Sequence, residues 1–291
     1  MKYTALALLI LTMIACEKEE RINTSSIGSY NNHWAIPQEE ILNDTSNMDN
    51  IASIDTPKFL TIEEHGSLPE NIRVLVYKNG EEVKIYPYGP MTAHEIVNDN
   101  TNGLAHAVTF CPITSSGLNW GRKLNGEVTE FGVSGMLYKS NLMPYDRNTR
   151  SIWSQMLMIG VNGRHINDTP EILPLLETSW GTATHLFPGA RVLKPGDTTE
   201  CEECQPNKSS KEISPAETMY GVLSIKPNSM EGKKEAFLFR YESFGDSITV
   251  FKKQFLGSNH LLIGSKEWKI LTAFTLPESF ITNTFSGIIQ P

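Results

Sequence analysis

Two places in this chain carry side chains suited to chemistry: the run His94-Glu95-Ile96-Val97-Asn98-Asp99, and Cys111 a little further on. The run begins like a zinc-protease helix, which needs His at its first and fifth positions so that both imidazoles face one metal. Asn98 stands at the fifth position, and an amide cannot replace imidazole, so that chemistry is excluded. His94, Glu95, Asp99 and Cys111 still form a candidate functional site. Soft sulfur and borderline nitrogen suit copper or zinc, with His94 and Cys111 as the ligands. Alternatively, His94 activates Cys111 as a thiolate nucleophile. The plain competitor is a satisfied polar cluster that fixes the loop geometry.

Other constellations are weaker. Gly132-Val133-Ser134-Gly135 invites comparison with a nucleophile elbow, but that motif needs Gly where Met136 stands. There is no Gly-rich dinucleotide or phosphate loop, so nucleotide cofactors have no support. Tyr138, Ser140, Tyr145, Asp146, Trp153, Ser154 and Gln155 place aromatic and hydrogen-bonding groups close together, a candidate surface for glycans or small polar ligands. Tyr and Trp are also simply good strand residues. Cys201 and Cys204 could close a local disulfide, remain a free pair, or capture a metal, although a four-ligand zinc site needs a further Cys or His pair. A net charge of −8 argues against nucleic acid as a partner and against a polybasic membrane-surface mode.

The N-terminus points to export. Lys2 precedes an uncharged apolar run from Ala5 to Ala15 that ends at Cys16. That run is too short to cross a bilayer, which takes about 20 residues, and has the shape of a secretory signal. Met13-Ile14-Ala15-Cys16 resembles a bacterial lipobox, with Met in place of the more usual Leu. The expectation is a lipoprotein acylated at Cys16 and anchored to the cell envelope, most simply the outer membrane, on its periplasmic or its outer face. Glu17-Lys18-Glu19-Glu20 resembles a surface-export signal, though any tether is expected to be polar.

Elements that position the candidate residues follow from turn chemistry. Residues 16–56 read as the lipidated Cys and a flexible tether, 57–193 as the main domain, 194–216 as a linker or long loop, and 217–291 as a smaller β-rich half. Asn79-Gly80, Asn102-Gly103 and Asn125-Gly126 are hairpin signals. They imply strands over 73–77, 83–86 and 107–110, and a hairpin pairing 117–120 with 128–133. A third hairpin, 137–145 with 151–159, is expected around Asp146-Arg147-Asn148. Short helices are expected over 91–98 and 178–187, and strands over 220–225, 236–241, 247–251 and 260–263. A weak repeat lays Gly103 on Gly257, His106 on His260, Val108 on Leu262 and Ile85 on Phe239. The fold class is therefore β-rich α+β, with antiparallel hairpins, few short helices, and two related halves as an open possibility.

Several of these stretches together resemble the DUF3179 family, uncharacterised proteins of bacteria and archaea. They are His94 to Asp99, Val108-Thr109-Phe110-Cys111-Pro112, Phe131 to Tyr138, Tyr145-Asp146-Arg147, Ser151 to Gln155, and Leu175 to Trp180. The resemblance spans residues 57–193 in unbroken order and implies a common fold, sometimes with a degenerate second copy, but no activity. The family pattern reads C-P-x-C-G where this chain has Cys111-Pro112-Ile113-Thr114-Ser115, so a vicinal dithiol or two-thiolate site is absent from this loop. The functional expectation is an envelope lipoprotein that binds a small ligand or metal near His94 and Cys111. A thiol- or metal-dependent enzyme using the same residues and a purely structural surface protein are the alternatives.

Overall fold

The computed structural model describes residues 33–194, 220–223, 237–240, 245–255 and 258–276. Cys16, Cys201 and Cys204, the signal segment and nearly all of the expected linker lie outside them. The first strands and helix among the described residues are β1 (Ile41–Leu42), β2 (Phe59–Thr61) and α1 (Ile62–His65). A capping box starts α1: Thr61 Oγ1 accepts from the Glu64 N–H, and the Glu64 carboxylate accepts from the Thr61 N–H. β3 (Arg73–Asn79) and β4 (Glu82–Pro87) form the hairpin expected at Asn79-Gly80. α2 (Tyr88–His94), β5 (Ile96–Thr101), β6 (Leu104–Cys111) and β7 (Ser116–Gly121) follow. The helix expected over 91–98 thus starts earlier, behind Pro87, and stops at Glu95, whose φ of +58° breaks the helical path. β-branched Ile96 and Val97 go to the sheet instead.

β8 (Lys123–Leu124) and β9 (Glu127–Val128) close a small hairpin around Asn125-Gly126. β10 (Phe131–Tyr138), β11 (Asn141–Asp146), β12 (Ile152–Ser154) and β13 (Ile159–Asn162) form the next group. The expected pairing of 117–120 with 128–133 does not occur, because β7 and β10 belong to different sheets. The third hairpin forms around Asp146-Arg147-Asn148, with β11 antiparallel to β12, and the strand expected over 137–145 is itself broken at Lys139-Ser140, both at positive φ, where β10 turns into β11. Then come β14 (Ile172–Leu173), β15 (Leu176–Ser179), α3 (Trp180–Leu186, capped by the Ser179 hydroxyl) and β16 (Arg191–Leu193). The described strands of the C-terminal part are β17 (Tyr220–Leu223), β18 (Phe237–Arg240), β19 (Thr249–Phe255), β20 (Ser258–Ser265) and β21 (Ile270–Leu276).

The architecture is β-rich with short helices, and its sheets stack in layers. The sheet β14-β7-β6-β5 is the middle layer. On one side Ile96, Ala107, Cys111, Leu118 and Trp120 pack against Phe131, Val133, Leu142 and Trp153 of the sheet β1-β10-β11-β12-β13. On the other, Val97, Val108 and Phe110 meet Leu75, Tyr77 and Tyr86 of the sheet β19-β20-β21-β15-β3-β4-β16-β2. The far face of that third sheet carries Val74, Val76, Ile85 and Val192 under α3, with Trp180 and Ala183 as the helix contacts. A middle layer covered on both faces has no exposed side to alternate with, so its strands are buried almost throughout.

The weak repeat has a structural counterpart. With Gly103 laid on Gly257, β5, β6 and β7 fall on β19, β20 and β21. The register agrees as well: His106 faces Gly121 and His260 faces Thr275, while Cys111 faces Ser116 and Ser265 faces Ile270. The two meanders sit differently, one as the middle layer and one extending the third sheet through the pairing of β21 with β15.

Residues 33–56, expected to be tether, are structured. Ala35 N–H donates to Val161 O, β1 pairs with β10, and Ile54 bridges Val97 in parallel. Asp49 accepts from the Tyr145 hydroxyl and pairs with Arg147 at 3.3 Å. The polar composition that suggests a flexible tether instead serves backbone and side-chain pairing with the sheets.

Candidate functional site

The four residues expected to form one site are divided by the middle sheet. Ile96 faces Thr109 and Asp99 faces His106 across β5 and β6, so Asp99 shares a face with His106, Val108 and Phe110. Cys111 shares the opposite face with Ala107 and Thr109 and is 1 % exposed within the apolar cluster there. A strand points successive side chains to opposite faces, so no rotamer brings Asp99 and Cys111 together. His94, at the end of α2, has its Nδ1 at 2.8 Å from Ala52 O. Among the described residues no three His, Cys, Asp or Glu side chains converge as metal ligands. The shared His94–Glu95–Asp99–Cys111 site is therefore corrected to separate environments.

Glu95 is the unusual member. It is a non-glycine residue at φ +58°, and its backbone oxygen accepts from the Phe110 N–H at 2.7 Å. Burial pushes its carboxyl up to about 7.

Around Cys111 lies a closed hydrogen-bonded network. Gln155, fully buried, donates from Nε2 to Thr109 Oγ1 at 3.0 Å and to Ser116 O at 3.2 Å. Its Oε1 accepts from Asn141 Nδ2 at 2.8 Å, and Asn141 Nδ2 also reaches Thr114 Oγ1 at 3.0 Å. Thr114, which stands where the resemblance leads one to expect a second Cys, is 2.8 Å from Ser116 Oγ. The Cys111 thiol points at Ser140 O, 3.7 Å away. Every strong donor and acceptor here faces another, so the network holds the 112–115 loop on the strands rather than presenting groups to a ligand.

The expected ligand surface over residues 138–155 is likewise dispersed. Trp153 is fully buried and stacks edge-on to Phe131. Tyr145 is engaged by Asp49, Tyr138 carries Lys139 over its ring at 5.6 Å, and Ser154 is buried. Asp146 is buried too, accepting from Thr149 N at 2.7 Å, Thr149 Oγ1 at 2.9 Å and Trp153 Nε1 at 3.2 Å.

Asp146 nevertheless lies at the wall of a cavity of about 60 Å³. Asn125 comes to it from the β8–β9 turn, Asn148 and Thr149 from the turn after β11, and Arg164 and His165 from the turn after β13. Gly160 allows this last turn to close, since a Cβ there would sit 1.9 Å from His165 O. His165 Nδ1 is held 2.8 Å from Asp168, and its ring tilts over Trp153 at 5.7 Å. Arg164 is exposed and has no acidic partner among the described residues. Of the lining residues, only Asp146 is among the sequence candidates. The usable signal is that three polar turns, Asn125-Gly126, Arg147 to Arg150 and Gly163 to Asp168, each follow a short strand.

A second buried polar cluster lies between the middle and third sheets. Lys84 donates to Asp99 Oδ1 and Oδ2 at 2.8 and 3.0 Å, and Tyr86 donates to Asp99 Oδ2 at 2.7 Å. His106 has Nδ1 at 2.8 Å from Asn119 Oδ1 and Nε2 at 2.7 Å from Thr101 Oγ1. Burial lowers the His106 imidazole to about 4, against the pull of Asp99. Across the same interlayer Arg73, Glu177 and Tyr88 form another buried group.

The sequence stretches that carry the resemblance are therefore the same ones that build the middle layer and its contacts. The model of the family described as "Protein of unknown function (DUF3179)" matches residues 48–244, about two-thirds of the chain. The chain belongs to the DUF3179 family. The match begins at Met48, inside the segment that packs on β10, so this family member's domain starts upstream of residue 57. No curated protein and no solved structure matches this DUF3179 chain.

Proposed function

We propose that this DUF3179 protein is a cell-envelope lipoprotein, anchored through acylated Cys16, whose domain binds a small polyhydroxylated ligand, a sugar or glycan end, in the cavity beside Asp146. One observation carries the binding reading: side chains of three separate turns line one cavity with both donors and acceptors. Asn125, Asn148 and Thr149 offer amides and a hydroxyl, Arg164 offers a guanidinium, and His165 is fixed in orientation by Asp168. A mixture of donors and acceptors suits hydroxyl groups, which both donate and accept. The anchor rests on the lipobox-like run ending at Cys16. A thiol enzyme at Cys111 has less support, since the sulfur is buried among apolar side chains and reactive thiols need an accessible, electropositive setting.

The binding reading is tested by amide chemical shifts of the protein against a panel of mono- and disaccharides. Saturable shifts at residues 125, 148–149 and 164–165, lost in Arg164→Ala, are expected. A panel that moves none of these amides sinks it. For the anchor, incorporation of a labelled fatty acid should vanish in Cys16→Ser. Equal labelling in that variant excludes the lipid at this residue.

A further inference from the structure

The Lys84–Asp99 pair has a geometry that an ordinary ion pair does not need. Lys84 Nζ lies 2.8 and 3.0 Å from the two carboxylate oxygens, and the side chains are 7 % and 4 % exposed. The Phe59 ring covers the ammonium at 4.3 Å. Tyr86 donates to Asp99 Oδ2 at 2.7 Å, and Arg122 reaches the Asp99 main-chain oxygen at 3.2 Å. A third ionisable group stands by: Glu82 Oε1 is 3.5 Å from Nζ, and its other oxygen is fixed by the Asn102 N–H. His106 Nε2 is 3.8 Å from Asp99 Oδ2.

We propose that Lys84 and Asp99 condense into an intramolecular amide bond that ties β4 to β5, with Glu82 carrying the proton. One proton passes from Nζ to the carboxylate, leaving an amine and a carboxylic acid. The Nζ lone pair attacks the Asp99 carboxyl carbon, and the Tyr86 hydroxyl hydrogen-bonds the oxygen that gains charge. Glu82 removes a proton from Nζ and returns it to the departing hydroxyl. The C–O bond breaks, the C–N bond remains, and one water leaves. No oxidant or co-reactant is required.

Two physical terms favour the bond here. In water the ionised amine and acid are stabilised by solvation, and that stabilisation is what burial between the sheets removes. Holding the partners at contact distance also converts a bimolecular condensation into an intramolecular one, where effective concentrations reach about 10⁵ M or more. The product replaces two buried charges by one neutral amide, which can still donate to Asn100 O, now 2.8 Å from Nζ.

Tandem mass spectrometry of a tryptic digest of the purified full chain tests this. The expected result is a branched peptide joining the segments that contain residues 84 and 99, lighter than their sum by one water and uncleaved after Lys84. It should be absent from Asp99→Ala and strongly reduced in Glu82→Gln, whose fold is checked by circular dichroism because the surface-facing amide leaves the pair in place. Wild-type digests that give only a linear peptide ending at Lys84 and an unmodified Asp99 overturn the bond. A branched peptide as abundant in Glu82→Gln as in wild type overturns the role of Glu82.

Discussion

Glu95 and His106 are both moved by burial, and in opposite directions. Glu95 rises to about 7, so the folded chain holds a proton that the unfolded chain releases; its contribution to stability is complete below about 4.5 and is lost as pH climbs through 7. His106 falls to about 4, so its contribution is present above about 6.5 and is lost as pH drops towards 4. The two slopes oppose each other between roughly pH 4.5 and 6.5. Urea unfolding of Glu95→Gln at pH 5 and pH 8 should show a gain of about 1–2 kcal/mol at the higher pH, after discounting for partial exposure. An unchanged difference from wild type at the two pH values would refute the assignment. Cys111 makes a second residue-scale prediction: an alkylating reagent should spare it in the folded chain and modify it in urea. Rapid labelling of the native chain would show the loop to be open. Asp99 and Cys111 both stand out in the sequence by type, yet their separation by a sheet does not, since it depends on which β5 residue faces which β6 residue.

At the scale of elements, hairpin turns are the legible part. Asn102-Gly103 and Asn125-Gly126 take positive φ at both positions, as two-residue turns require. Strand partners are less legible, because the middle layer is buried on both faces and shows no alternation to mark an inner side. β21 carries no local signal: Ile270-Leu271-Thr272 follows the turn Lys266 to Lys269, with no Gly or Pro there to announce a strand. The cavity depends on the turn after β13, so Gly160→Ala should force its backbone from His165 and cost about 2–4 kcal/mol in denaturant midpoint analysis. Gln155→Leu should cost roughly 2–3 kcal/mol, since Asn141 and Thr109 lose a buried partner. Wild-type-like stability in either variant would mean that these contacts do not hold the turns.

Across the whole molecule, the two meanders share a register but not a setting. The middle one is packed on both sides, whereas the C-terminal one is attached through β15 and through Thr178 and Thr182, whose hydroxyls donate to Trp268 O at 3.0 Å. Hydrogen exchange should therefore be slowest in β5 and β6 and measurably faster in β19 and β20, with Thr182→Ala widening the gap. Equal protection would mean that both open only with global unfolding. The composition of residues 33–56 hides their role for a related reason: their bonds, from backbone and from Asp49 alike, go to strands distant in sequence, which a polar composition does not advertise. Ile54 accepts from Asn98 N–H and donates to Ile96 O, so it covers the outer rim of β5. A chain begun at residue 57 would leave that rim as a row of unpaired amides and carbonyls, an open template for another copy of itself. Such a chain should aggregate where one begun at residue 33 stays in solution.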